Sequence, residues 1–316
     1  MKIIPIAFES LGVRSMCTFI ETKDIRLMID PGMSLGLRYG KMPHPKEYKS
    51  LIKARKRMYK EAEKADLIII THYHIDHYTQ LKITDYMWTW SDPENAEKLY
   101  EGKNILLKDY KNNINLNQKR RGWIHWKLLN KIECKVEIAD NKTININNTR
   151  IRISKPIPHG EEYSKLGYVL MVEIEEEDEK VLYTSDIQGP QTLKLTNEII
   201  MLKPNITIIG GPTTYIATEK KKVIEIIDNI KTLKNNIPKI ILDHHILRDK
   251  DWRKYFNKIR EKGENKVQTA AEYMGGRNKT LECIRDLLYE KYEPSKEFLK
   301  WCKSINKHRG KEPPPI

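Results

Sequence analysis

The most constraining stretch of this chain is Thr71-His72-Tyr73-His74-Ile75-Asp76-His77, three histidines and an aspartate set directly after the apolar run Asp66-Leu67-Ile68-Ile69-Ile70. The run is short, β-branched and apolar at successive positions, which predicts a strand covered on both faces that delivers the polar cluster at its carboxyl end. Imidazoles and a carboxylate crowded at the mouth of a buried strand each need a partner on leaving water. A surface loop, or a core site satisfied by backbone, accounts for one such histidine but not for the whole string. A divalent cation satisfies them together. Residues two apart face the same side of an extended segment, so His72 and His74 share one ion, while Asp76 and His77 lie one turn onward beside a neighbouring one. Imidazole nitrogen with carboxylate oxygen suits zinc, the expected ion, and also manganese or iron.

The pattern around this cluster reads as a sheet-first fold. Lys2 to Phe8, Met16 to Thr22 and Ile25 to Asp30 read as strands separated by turn signals at Leu11-Gly12 and Lys23-Asp24. Residues 45–64 carry Leu51, Ile52, Met58 and Ala62 at helical spacing among Lys53, Arg55, Lys56, Arg57 and Lys60, which predicts a basic surface helix. From 86 to 131 the pattern is irregular, with Trp88, Trp90, Trp123 and Trp126 among Lys119, Arg120 and Arg121, and reads as an inserted lid. Strand signals resume at 134–138, 143–153, 168–175 and 181–184, then at 206–209 and 239–242 around a helical segment at 219–234. Residues 251–316 read as a C-terminal helical extension packed on a domain spanning 1–250.

Composition sets the outer bounds. A chain of 316 residues with 39% hydrophobic and 32% charged residues is long enough to bury a large core. No run approaches the roughly 18–20 apolar residues that cross a bilayer, and residues 1–5 lack a signal peptide's apolar region, which predicts a cytoplasmic protein without a membrane partner. Four scattered cysteines, Cys17, Cys134, Cys283 and Cys302, form no C-x-x-C pair and suggest neither zinc ribbon nor disulfide framework. The formal charge of +14 concentrates polyanions such as nucleic acids or phosphorylated metabolites around the molecule.

The histidine string resembles the signature of the metallo-beta-lactamase superfamily, and other segments match it in order. Leu27-Met28-Ile29-Asp30-Pro31-Gly32 resembles its early hairpin, Pro158-His159-Gly160 its third-histidine segment, Tyr183-Thr184-Ser185-Asp186 its bridging-aspartate motif, and Ile240-Ile241-Leu242-Asp243-His244-His245 the strand carrying the last histidine. The overall likeness is to an archaeal branch of predicted hydrolases. The resemblance implies an α/β fold, the four-layer αββα sandwich, and a two-metal hydrolase using a metal-bridging hydroxide. It implies that His72, His74 and His159 bind one metal, that Asp76, His77 and His244 bind the other, with His245 as the alternative, and that Asp186 bridges them. His244 and His245 point to opposite sides of a strand end on this reading, and the spacing from His244 to Arg248 resembles that of the ribonuclease Z branch. Asp76 and Asp186 orient the hydroxide, and whichever of His244 and His245 is free protonates the leaving group. Thr213, Thr214 and Tyr215, after Gly210-Gly211-Pro212, join Arg248 as substrate contacts. The basic segments with interleaved aromatics favour phosphodiesters, RNA or DNA; the alternative is a small-molecule hydrolase of lactones, thioesters or phosphorylated metabolites in a pocket closed by the lid. Tyr78-Thr79-Gln80 stands where ribonuclease Z has Gly-Leu-Pro, so no known nuclease family is matched.

Overall fold

The computed structural model describes residues 1–82, 89, 92–162, 165–217, 219–261, 263–308 and 312–316. Among these, the first half of the chain lays down one sheet in the order β1 (Lys2–Phe8), β2 (Met16–Glu21), β3 (Arg26–Ile29), β4 (Leu67–Ile70), β5 (Asn104–Leu107) and β6 (Lys135–Ile138). The first three strands run antiparallel through tight turns, whereas β3 to β6 run parallel. Parallel neighbours need long crossovers, and these carry α1 (Pro45–Ala62), α2 (Pro93–Tyr100) and α3 (Leu116–Leu129).

The second half repeats the plan. A hairpin of β7 (Thr143–Ile146) and β8 (Thr149–Ile153) is followed by a two-stranded ribbon, β9 (Ile157–Pro158) and β10 (Tyr168–Val169). Then come β11 (Val172–Glu176), β12 (Glu179–Tyr183), β13 (Ile206–Gly210), β14 (Lys239–Asp243) and β15 (Val267–Gln268), which with β7 and β8 form the second sheet. From β12 to β15 the strands are parallel, linked by α4 (Leu193–Met201), α5 (Lys220–Asn236) and α6 (Trp252–Ile259).

Side-chain alternation along the strands explains the four layers. Leu67 and Ile69 of β4 face the second sheet, while Ile68 and Ile70 face α1 and α3. In β14, Ile241 faces the first sheet, and Ile240 and Leu242 pack under α5 and α6. Strands buried on both faces are apolar at every position, as the run before His72 predicts. Ile69, Ile208 and Ile241 are fully buried between the sheets; each such burial stabilises the sandwich by about 1.5–3 kcal/mol.

Two expectations about organisation need correction. The described part of 86–131 is not an inserted lid, because β5 hydrogen-bonds β4 on one side and β6 on the other, and Leu129 of α3 joins the core under it. A four-residue strand flanked by aromatic and basic residues gives too little alternation to be seen. Trp88 and Trp90 lie outside the described residues. The C-terminal segment is not purely helical either. It adds β15 to the second sheet before α7 (Ala270–Tyr273), α8 (Arg285–Lys291) and α9 (Lys296–His308). Of these, α9 returns to the first sheet, where Phe298 and Trp301 meet Tyr48 of α1 edge-on at ring centroid distances of 5.9 and 5.6 Å. No described helix is long and apolar enough to cross a membrane.

Candidate metal centre

Three of the four segments singled out for metal chemistry leave the sandwich at carboxyl ends of parallel strands: the histidine string follows β4, Asp186 follows β12 and His244-His245 follows β14, while His159 follows β9 of the two-stranded ribbon. Three non-glycine residues flanking these exits take left-handed backbone conformations: Asp30 (φ 49°), Ser185 (φ 58°) and His244 (φ 66°). Such residues cost on the order of 1–3 kcal/mol each and persist where the surroundings hold them. Close packing sets the loop as well. A Cβ on Gly32 would lie 2.0 Å from the backbone nitrogen of Tyr78, so the turn after β3 can touch the histidine loop only as glycine.

The side chains converge into overlapping groups. Donor atoms of His72, His74, His159 and Asp186 lie within 4.8 Å of one another, as do those of Asp76, His77 and His244, and those of Asp186, His244 and His245. Asp186 Oδ2 is 2.7 Å from His159 Nε2, 3.0 Å from His245 Nε2 and 3.4 Å from His244 Nε2. This places Asp186 between the two halves of the cluster, the position the bridging role requires.

Groups behind the cluster fix the rings. The Asp30 carboxylate is fully buried and accepts from Thr71 N (2.8 Å), Thr71 Oγ1 (2.7 Å), Tyr183 Oη (2.8 Å) and His77 Nδ1 (2.8 Å). With Nδ1 committed to Asp30, His77 turns the lone pair of Nε2 towards the cluster, the arrangement usual for a metal-bound imidazole. Glu9 does the same for His244, accepting from its Nδ1 at 2.8 Å. Its other oxygen takes Arg248 Nε at 2.6 Å, and Arg248 reaches Asp76 Oδ2 at 3.2 Å. On the His74 side, Gln118 of α3 accepts from Tyr73 N (2.9 Å), donates to the Leu166 carbonyl (2.6 Å) and comes within 3.4 Å of His74 Nε2.

The electrostatics call for a cation. Burial, then His77, His74 and His159, hold the His72 imidazole well below its usual range, and burial with His159 does so for His74. Burial alone would raise Asp186 and Asp76, yet the facing histidines, with Arg248 for Asp76, hold both carboxyls well below theirs. His244 resists the effect of burial because Glu9 and Asp186 push it up to about 10, whereas burial and Arg248 push His245 down to about 4. The donor set fits a metal on independent grounds. His72 Nε2, His77 Nε2 and Asp186 Oδ1 are buried and have no hydrogen-bond partner among the described residues. Leaving such atoms unpaired costs about 1–3 kcal/mol each, and each is a ligand atom aimed into the cluster.

The structure thus brings His72, His74, Asp76, His77, His159, Asp186, His244 and His245 into one centre. Two details of the sequence reading change. His244 and His245 do not diverge, because β14 ends at Asp243 and the left-handed turn at His244 points both rings at Asp186. Arg248, expected against substrate, is buried under the centre by its bonds to Glu9 and Asp76. Tyr215 does reach the centre, its hydroxyl 3.1 Å from His245 Nδ1. Thr214 buries its side chain in the same turn and Thr213 is half-buried there. Glu9, Gln118 and Arg38, which stacks on Tyr215 at 4.2 Å, carry no sequence signal that separates them from surface residues.

Comparison with known proteins bears on the family and the fold. Residues 11–111 match the model of the metallo-beta-lactamase superfamily. A UPF0282 protein of Pyrococcus furiosus is 39% identical over 300 residues, covering 94% of this chain and 94% of the relative. One from Korarchaeum cryptofilum is 38% identical over 299 residues, covering 92% and 95%. Among solved structures, the metallo-beta-lactamase fold protein YhfI from Bacillus subtilis superposes with a TM-score of 0.50 at 15% identity, covering 84% of this chain and 95% of that one, a likeness of fold alone.

Proposed function

Since this chain belongs to the UPF0282 family, within the metallo-beta-lactamase superfamily, we propose that it is a dinuclear metal-dependent hydrolase of phosphodiesters, with RNA or DNA as substrate. The observation that carries this reading is the convergence of buried, unpartnered ligand atoms, His72 Nε2, His77 Nε2 and Asp186 Oδ1, on a cluster whose carboxylates need positive charge. In this reading His72, His74 and His159 hold one ion, Asp76, His77 and His244 hold a second, and Asp186 serves both. Zinc suits the donors best, with manganese and iron also accommodated. When bound, such ions lower the pKa of a coordinated water and polarise a phosphoryl oxygen.

The chain's own residues supply the rest. Asp30 and Glu9 keep His77 and His244 in the tautomer that presents Nε2, and Arg248 steadies Asp76. His245 remains outside both ligand sets. Its Nε2 faces Asp186 and its Nδ1 meets Tyr215, so the imidazole, pushed down to about 4 and hence neutral near pH 7, holds Asp186 and the Tyr215 phenol in place beside the reacting centre.

The choice of phosphodiester rests on α3. Gln118 ties that helix to the loop between His72 and His74, Arg121 donates to the Tyr73 carbonyl of that loop at 3.3 Å, and Lys119 and Arg120 are exposed on the same helix. One turn on, Trp123 is 48% exposed with Lys127 over its ring at 5.3 Å. Cations and an exposed aromatic ring on the helix that clamps the histidine loop suit a charged strand with bases to stack.

Metal-loaded wild type and His74→Ala, analysed for metal and assayed on bis-p-nitrophenyl phosphate and single-stranded RNA, test this reading. Two ions per wild-type chain are expected, with cleavage reduced by ~100-fold or more in the variant. Failure to load any metal refutes the centre, and full loading without cleavage of either substrate refutes the phosphodiester.

A further inference from the structure

We propose that Arg38 is a substrate-anion site at the rim of the metal centre, placed to receive a second phosphate next to the one under attack. The proposal rests on the phosphodiesterase reading above and names the feature that would select among its substrates.

The contrast with neighbouring arginines is the starting point. Arg14 is held by Glu282 through two bonds of 2.6 Å, Arg248 by Glu9 through its Nε at 2.6 Å, and Arg285 by Glu47 through two bonds of 2.8 Å. Each has a glutamate of its own. Arg38 makes no ion pair with a carboxylate among the described residues: its Nη2 donates to the Arg248 carbonyl at 2.9 Å, and its Nε finds no acceptor. A half-buried guanidinium without a counter-ion is costly unless an anion arrives to pair with it.

Position and stiffness point the same way. The guanidinium carbon lies 4.2 Å from the Tyr215 ring centroid and 4.8 Å from that of Tyr39, so two aromatic faces fix it. Tyr215 is hydrogen-bonded to His245, and His245 to Asp186, which puts Arg38 one phenol and one imidazole away from the centre. The surface there is open, with Leu37 and Tyr39 both exposed. It is also short of negative charge, because Lys41 (3.0 Å) and Lys250 (2.9 Å) share the single carboxylate of Asp286. A planar, always charged fork held clear of the centre by the Tyr215 phenol and the His245 imidazole fits a flanking phosphate of a strand and is out of place for a substrate with a single anionic group.

Binding measured without turnover separates this from the hydrolase reading. Calorimetric titration of metal-loaded wild type and Arg38→Gln with thymidine 3′,5′-bisphosphate and with thymidine 5′-monophosphate is the experiment, with metal content and melting temperature confirming an intact centre. Wild type is expected to prefer the bisphosphate by about tenfold, and Arg38→Gln to lose most of that preference. A wild type that binds both alike, or a preference that survives in Arg38→Gln, overturns the proposal even if diesters are cleaved. A preference lost in the variant upholds it even if no diester tried is cleaved. Should Arg38→Gln fail to fold, Arg38→Lys keeps the charge without the fork, and an unchanged preference there also overturns it.

Discussion

Glu9 sits in the turn after β1 and, through its two oxygens, sets the aim of His244 and Arg248 at once. Glutamine would preserve its shape and remove its charge, leaving Arg248 with Asp76 as its remaining carboxylate and His244 free to flip. Glu9→Gln is therefore expected to weaken the ion at Asp76, His77 and His244 by roughly 10–100-fold while sparing the one at His72, His74 and His159. Chelator competition with cobalt-loaded protein measures this, and equal affinities in variant and wild type would remove Glu9 from the design. Legibility at this scale follows density. The string His72 to His77 announces itself because four candidate ligand residues stand within six positions, and His159 and Asp186 follow from motifs next to strands. Glu9 is a lone acidic residue whose partners lie more than 230 positions away, and no local pattern connects them. Parity along a strand failed for His244 and His245 because the strand had already ended.

At the scale of the element, α3 shows packing overruling propensity. Glycine in a helix interior is worse than alanine by about 1 kcal/mol, so Gly122→Ala taken locally should stabilise. In the structure a Cβ there would stand 2.5 Å from the Tyr73 ring and 2.7 Å from Tyr110 Cβ, both buried. Overpacking of this kind costs about 1–3 kcal/mol, and relief requires α3 to lift away from the histidine loop it clamps through Gln118. Gly122→Ala is expected to lose about 1–2 kcal/mol net of stability in urea denaturation, and a more stable variant would show that the helix has room to move. Elements with unbroken apolar runs, β4 and β14, were legible from sequence, as were α1 and α5 from their periodicity. β5 was not, since Asn104–Leu107 offers four residues between stretches of mixed character, and only its pairing with β4 and β6 identifies it.

For the molecule as a whole, the centre joins two half-sandwiches, with His72 to His77 from one sheet and Asp186, His244 and His245 from the other. Ions held across that seam bind the folded chain and not the unfolded one. On the two-ion reading proposed above, removing them should lower stability by about 2.7 kcal/mol per ion when free metal stands at a hundred times the dissociation constant. Scanning calorimetry of chelated and reloaded protein is expected to show a melting temperature several degrees lower without metal, and coincident curves would mean that the ions do not bridge the halves. The four-layer plan followed from the resemblance to the metallo-beta-lactamase superfamily carried by the motifs; the brace behind Glu9 had no such signal. That brace has a bearing on how the molecule is made. Ser10 receives Ala271 N on its hydroxyl (2.9 Å) and Lys279 N on its carbonyl (2.7 Å), so the turn that aims His244 is tied down by residues made long after it. At about 5–20 residues per second, His72 to His77 leave the ribosome roughly 10–35 s ahead of His244 and wait still longer for the residues that steady it. A nascent chain carries an incomplete ligand set until His244 emerges, and on the proposed reading tight metal capture becomes a clock that starts only once Ala271 and Lys279 have been made.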